Sequence, residues 1–128
     1  MDVGTSWLAM QEYGLQGVAY QELFGPADMH ADESFQGLVR KIEAMRPQQT
    51  ETMKLGVSPH APFTVSDTSF RKIAVYADEL DVPVHVHLHE TAEEIRESVA
   101  AHGTRPIRRL QEAGLLGPNL IAVHAVHL

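Results

Sequence analysis

The chain contains no cysteine. No disulfide framework or thiolate metal site can form, so any bound metal has to be held by imidazole and carboxylate. Positive charge is scarce: 10 Lys and Arg face 17 Asp and Glu, a formal net charge of -7. Nucleic acid and anionic membrane both require clustered positive charge, and the only dense basic group, Arg105 to Arg109, is local. Neither is expected as a partner. Residues 1–20 include Asp2 and Glu12 and lack both a basic start and a continuous apolar run, so no signal peptide or membrane span is expected there. Together with the missing cysteine, this suits a cytoplasmic protein.

What remains is an ordinary globular composition, 44% hydrophobic over 128 residues, within the usual size of one domain. The apolar residues fall into two alternating periods. Gly17 to Leu23 reads as a short buried strand, followed by a Gly-Pro loop at 25 and 26. Asp32 is placed to cap a helix whose Phe35, Leu38, Val39, Ile42 and Met45 keep helical spacing up to Pro47. Met53 to Ser58 forms a second strand, and Ser66 or Asp67 opens a helix with Phe70, Ile73, Ala74, Ala77 and Leu80 on its inner stripe. Val84 to Leu88 is the third strand. Thr91 and Glu94 form a capping box for the next helix, Pro106 starts another, and Leu120 to Val123 is the fourth strand. Strands recurring every 30 or so residues with helices between them are βαβ crossovers and therefore parallel. Four such units fit an open sheet or half of a closed barrel, and periodicity does not choose between them.

Six of the eight histidines, at 60, 85, 87, 89, 124 and 127, lie within or just after three of these strands. In parallel α/β folds the C-terminal strand ends converge on a shared cavity, so histidines arriving there from different strands make a metal or proton-transfer site. A period of two places His85, His87 and His89 on one face of the third strand and Val84, Val86 and Leu88 on the other. Three buried imidazoles without partners would cost about 1 to 3 kcal/mol per unsatisfied atom. A metal, a hydrogen-bond network or water has to satisfy them. His87, with Glu90 at the strand's mouth, is the candidate ligand and neighbouring acid/base; His85 lies deeper, as a packing or supporting residue. An isolated core histidine is more often satisfied by backbone than by metal, and only the clustering argues otherwise.

Gly56-Val-Ser-Pro-His-Ala-Pro-Phe63, Val86-His-Leu-His-Glu-Thr91 and Ile121-Ala-Val-His-Ala-Val-His-Leu128, in this order and spacing, resemble the amidohydrolase superfamily. Within it they are most similar to the chlorohydrolase and deaminase branch, which includes the 5-methylthioadenosine/S-adenosylhomocysteine and aminodeoxyfutalosine deaminase families. The resemblance implies an α/β fold: a partial (β/α)8 TIM barrel, about strands three to six with their helices. Residues 1–128 would then be a central fragment of a metal-dependent hydrolase barrel with no second domain. It implies one divalent metal, zinc foremost with iron or manganese as alternatives, bound by His87. Glu90 would shuttle protons between water and a ring nitrogen. His124 would orient the activated water, or serve as a second ligand in binuclear relatives, and His60 would contact substrate.

The family completes its metal site with a His-x-His pair on strand one and an aspartate on strand eight, and neither is found in this sequence. His85-Val-His87 imitates the first, but two βα units precede it and Glu90-Thr91 follows, which favours strand five. The implied function belongs to a longer parent: hydrolytic deamination of a purine-like small-molecule heterocycle by a homo-oligomeric enzyme, with the fragment alone inactive. Dechlorination and ring-amide hydrolysis use the same frame. A noncatalytic α/β metal-binding module and a metal-free polar core are the competing classes. Gln21 and Glu22 end the first strand and would face the cavity, although solvated or capping roles are commoner there. His89 could line the mouth and His127 could bond backbone or substrate, with purely structural roles equally common for both, and Phe63 could pack on a planar ring, with a core role at least as common.

Overall fold

In a computed structural model, residues 2–128 are described. The chain opens with α1 (Val3–Tyr13), capped by the Asp2 carboxylate and ended by Gly14 in the left-handed conformation. Then follow β1 (Gly17–Leu23), α2 (Ala31–Met45), β2 (Met53–Pro59), α3 (Asp67–Leu80), β3 (Val84–Leu88), α4 (Ala92–His102), α5 (Pro106–Glu112) and β4 (Leu120–His124). One-turn 3-10 helices stand on either side of α2, at Asp28–His30 and Arg46–Gln48.

The N-termini of α3 and α4 follow from side-chain chemistry. Ser66 accepts from the Ser69 N–H, and the Thr91 side chain from the Glu94 N–H. At α2 the expected Asp32 cap does not form. His30 holds the cap position without a side-chain bond, while Asp32 sits in the first turn and pairs with Lys72 of α3 at 2.6 Å. The preceding 3-10 turn starts the helix earlier than the sequence pattern suggests, so Asp32 is already inside it.

All four strands are parallel and adjacent in chain order, β1-β2-β3-β4. A doubly wound sheet reverses its order at a switch point; this one never does, so successive right-handed crossovers lay the helices on one face. The chain is thus four consecutive strands of a barrel wall with their outer helices. Ala19, Leu23, Leu55, Val57, Val84, Val86 and Leu88 point to that helical layer and pack with Leu38, Ile42, Phe70, Ile73 and Leu110. Each of the valine, leucine, isoleucine and phenylalanine side chains, fully buried, contributes about 1.5 to 3 kcal/mol. The opposite face carries Tyr20, Glu22, Gly56, Ser58, His85 and His87, polar or small residues that belong to a lumen. Gly56 is there for space: a Cβ would stand 2.5 Å from the Tyr20 ring and 2.9 Å from the Pro83 carbonyl. Among the described residues, no helix is long and apolar enough to cross a membrane.

Candidate metal and proton-transfer site

The C-terminal ends of β2, β3 and β4 bring His60, His87, Glu90 and His124 together. The His87 ring lies 4.9 Å from that of His60 and 5.6 Å from that of His124. Nε2 of His124 stands 3.6 Å from Oε1 of Glu90, with both side chains near half-exposed. Three separate strands therefore supply one small volume.

Local chemistry orients each ring. Pro59 has no N–H to donate to the sheet, and beyond it the His87 N–H meets the His60 carbonyl at 3.0 Å. The same carbonyl lies 2.9 Å from His87 Nδ1. A carbonyl only accepts, so Nδ1 carries the proton and Nε2 keeps a free lone pair. A backbone carbonyl behind Nδ1 is the usual support of a metal-binding imidazole. His60 is fixed in the same sense. The Thr64 hydroxyl donates to the Ala61 carbonyl at 3.2 Å and accepts from His60 Nδ1 at 2.9 Å, leaving Nε2 of His60 as an acceptor.

Deeper in the lumen, His85 bonds the Ser58 hydroxyl at 3.3 Å and lies 4.8 Å from the Tyr20 ring, the supporting place expected of it. Burial, followed by the neighbouring His87, pushes the His85 and His60 imidazoles below the ordinary 6.5. Both are therefore held toward the neutral form. Burial likewise raises the Tyr20 phenol.

His89 departs from the expected alternation. Its φ of 53° is left-handed, and its ring turns away from the lumen into the protein, where only 1% remains exposed. There Nδ1 meets the His127 carbonyl at 3.1 Å and Nε2 accepts from the Ile107 N–H at 3.2 Å. With both nitrogens engaged, His89 neither lines the mouth nor has a lone pair for a metal. Gln21 also differs: it is buried on the helical side, where its Oε1 accepts from the Val3 N–H, while Glu22 occupies the lumen face. His127 is exposed and engages the fold through its backbone.

Phe24, overlooked in the sequence, stacks on His60 at 4.5 Å between ring centres. Phe63 meets the same ring edge-on at 6.3 Å, and both phenylalanines are about half-exposed. The position of Phe24, directly after the C-terminal end of β1, is the signal that could have singled it out.

The donor set fits one edge of a metal centre. His87 offers an oriented Nε2 and His124 a second imidazole, but no group of three or more coordinating side chains is assembled among the described residues. A four-ligand site thus needs donors from outside this segment.

Strand ends that bring together an anchored imidazole, a carboxylate and a second imidazole can hold part of a metal ion's coordination shell and move a proton. The family model of the amidohydrolase family matches residues 8–128, and the chain belongs to that family. Relatives named 5-methylthioadenosine/S-adenosylhomocysteine deaminase include that of Saccharophagus degradans, 43% identical over 81 residues, which cover 63% of this chain and 18% of the relative. A protein of Methanoregula boonei named 5'-deoxyadenosine deaminase is 34% identical over 94% of the chain and 27% of its own length. Among solved structures, an adenosine deaminase of Xanthomonas campestris with bound zinc superposes with a TM-score of 0.85 at 33% identity, over 98% of this chain and 29% of that one. The zinc-bound atrazine chlorohydrolase of Arthrobacter aurescens shares the fold, with a TM-score of 0.79 at 16% identity. The chain spans less than a third of the length of each of these relatives.

Proposed function

We propose that this segment supplies the proton-transfer carboxylate and one metal ligand of a zinc-dependent deaminase acting on a purine-like heterocycle. The observation that carries the reading is the convergence of Glu90 and His124, 3.6 Å apart, beside a His87 whose Nε2 lone pair is free. His87 would hold the ion. When bound, a divalent ion lowers the pKa of its water from 15.7 toward about 7 and so supplies a nucleophile at neutral pH.

The remaining chemistry belongs to this chain's own side chains. Glu90 accepts a proton from the attacking water and delivers it to the ring nitrogen next to the carbon under attack. His124, in reach of the Glu90 carboxylate, orients the water's oxygen. Once that oxygen is bonded to the ring carbon, the exocyclic C–N bond breaks. The second proton of the water leaves with the amino group as ammonia, and the ring keeps a carbonyl. The Nε2 acceptor of His60 meets a donor on the substrate, and Phe24 and Phe63 give a planar ring an apolar rim. The deaminase names of the relatives favour loss of ammonia over dechlorination in the same frame. The parent enzyme would be a cytoplasmic homo-oligomer.

The test uses the intact parent protein loaded with zinc and assayed on adenine nucleosides. Glu90→Gln should retain the metal and lose at least about 100-fold in kcat, the lower end for a general acid/base. His87→Ala should lose the metal itself. Unchanged turnover in Glu90→Gln, or no turnover by the wild type as a noncatalytic binding module requires, would overturn the reading.

A further inference from the structure

The sheet's own alternation would send residue 90 to the helical side, with Val84, Val86 and Leu88. Glu90 reaches His124 only because His89 adopts a left-handed backbone, φ 53°, at the strand's exit. A buried non-glycine residue holds that conformation against a cost of order 1–3 kcal/mol only when its surroundings over-determine it.

The surroundings are explicit. The Glu94 side chain, 5% exposed, places Oε1 at 3.1 Å from the His89 N–H and Oε2 at 2.9 Å from the Glu90 N–H. In an ordinary capping box the glutamate reaches back to the N–H of the capping residue itself, here Thr91. In this chain it reaches further, to the two preceding amides, and grips the residue that turns and the residue that is turned. The His89 carbonyl in turn accepts from the Val126 and His127 N–H groups, both at 3.1 Å, and the Leu88 carbonyl from Ala125 at 3.0 Å. His124 and Ala125 are themselves left-handed, at φ 70° and 48°. The two partners of the 3.6 Å contact are thus hung from one clasped turn.

We infer that Glu94 is a positioning residue that sets the Glu90 carboxylate against His124 by clasping the His89 and Glu90 amides. The inference rests on the reading of Glu90 as the proton-transfer group. It is tested in the zinc-loaded parent enzyme with Glu94→Ala, Glu94→Gln and, as comparator, Thr91→Ala. The comparator removes the bond to the Glu94 N–H at 3.1 Å and weakens the same helix end without touching the clasp.

Glu94→Ala should lower kcat by about 10- to 100-fold, the usual effect of removing a supporting partner, with metal content retained and KM within about threefold. Glu94→Gln keeps one acceptor and should fall between Glu94→Ala and the wild type. Thr91→Ala should lower the melting temperature yet keep kcat within about twofold. A kcat for Glu94→Ala within twofold of the wild type, or an equal loss in Thr91→Ala, overturns the inference. Amide hydrogen exchange reads the clasp without substrate: the His89 and Glu90 amides should exchange faster in both Glu94 variants than in Thr91→Ala, and equal exchange overturns it. Should the wild type deaminate no purine nucleoside, the proposed function fails and the exchange arm still decides the clasp.

Discussion

Arg109 of α5 is the buried charge whose loss can be weighed most directly. Its guanidinium, in a residue 4% exposed, donates through Nε and Nη2 to Asp67 Oδ1 at 2.9 and 2.8 Å. Nη1 donates to the Pro62 carbonyl at 2.8 Å, in the loop that carries Phe63. The two ends of the ion pair are not equivalent, because the Asp67 side chain is 38% exposed and that of Arg109 only 4%. Removing Asp67 strands an ionised guanidinium away from water, and an uncompensated buried charge costs about 3–5 kcal/mol. Asp67 also lies in the first turn of α3, worth a further 0.3–1 kcal/mol or so against the helix dipole.

Removing Arg109 lets water reach the aspartate, leaves the Pro62 carbonyl short of a donor at about 1–3 kcal/mol, and allows an aliphatic replacement to fill the space. Asp67→Ala should therefore destabilise more than Arg109→Leu, by about 2–3 kcal/mol, although both delete the same ion pair. Urea denaturation of the intact parent protein, read as the shift of the midpoint multiplied by the slope, measures both. Equal losses, or a greater loss in Arg109→Leu, would refute the reasoning from asymmetric exposure.

Two further outcomes follow from the packing. Gly56→Ala drives a methyl group to 2.9 Å from the Pro83 carbonyl, a backbone atom that cannot swing aside; a loss of about 1–3 kcal/mol is expected in the same urea assay, and an unchanged midpoint would contradict it. Burial, then the hydrogen bond to Glu43 and the charge of that carboxylate, raises the Tyr76 phenol from 10.0 to about 12. The raised value means that its stabilisation is complete below pH 10 and disappears as pH climbs through about 12, because the unfolded phenol ionises first. The difference between ultraviolet titrations of the wild type and Tyr76→Phe should show one phenolate appearing near pH 12, and its appearance near 10 would contradict the burial argument.

The strands and the histidine cluster were legible because period-two alternation and strand-end placement are local properties. β1 and β3 occupy the expected residues, and the rings of His60, His87 and His124 converge as their placement at strand ends suggests. The misses occur where the local period stops. At His89 the left-handed backbone reverses the alternation, and no feature of the His-Leu-His-Glu run announces it, since glycine would be the usual occupant. The non-local partners that hold it, Ile107 and His127, lie 18 and 38 residues away. Gln21 lies on the helical face and not toward the cavity for which it is one candidate by sequence, because alternation along β1 does not say which set is inward until α1 supplies the Val3 N–H. Asp32 failed as a cap because the preceding 3-10 turn had already begun the helix.

The carbonyl of residue 60 accepts two hydrogen bonds from one histidine, from the backbone N–H and the ring Nδ1 of His87. The loop from 60 to 65, which sets Phe63 against the His60 ring, is consequently wired to the candidate metal ligand His87. On the proposed reading of His87 as a metal ligand, exchanging that loop to alter substrate choice would also retune metal affinity. Replacements that keep the main-chain path through Pro59 and His60 should separate the two properties.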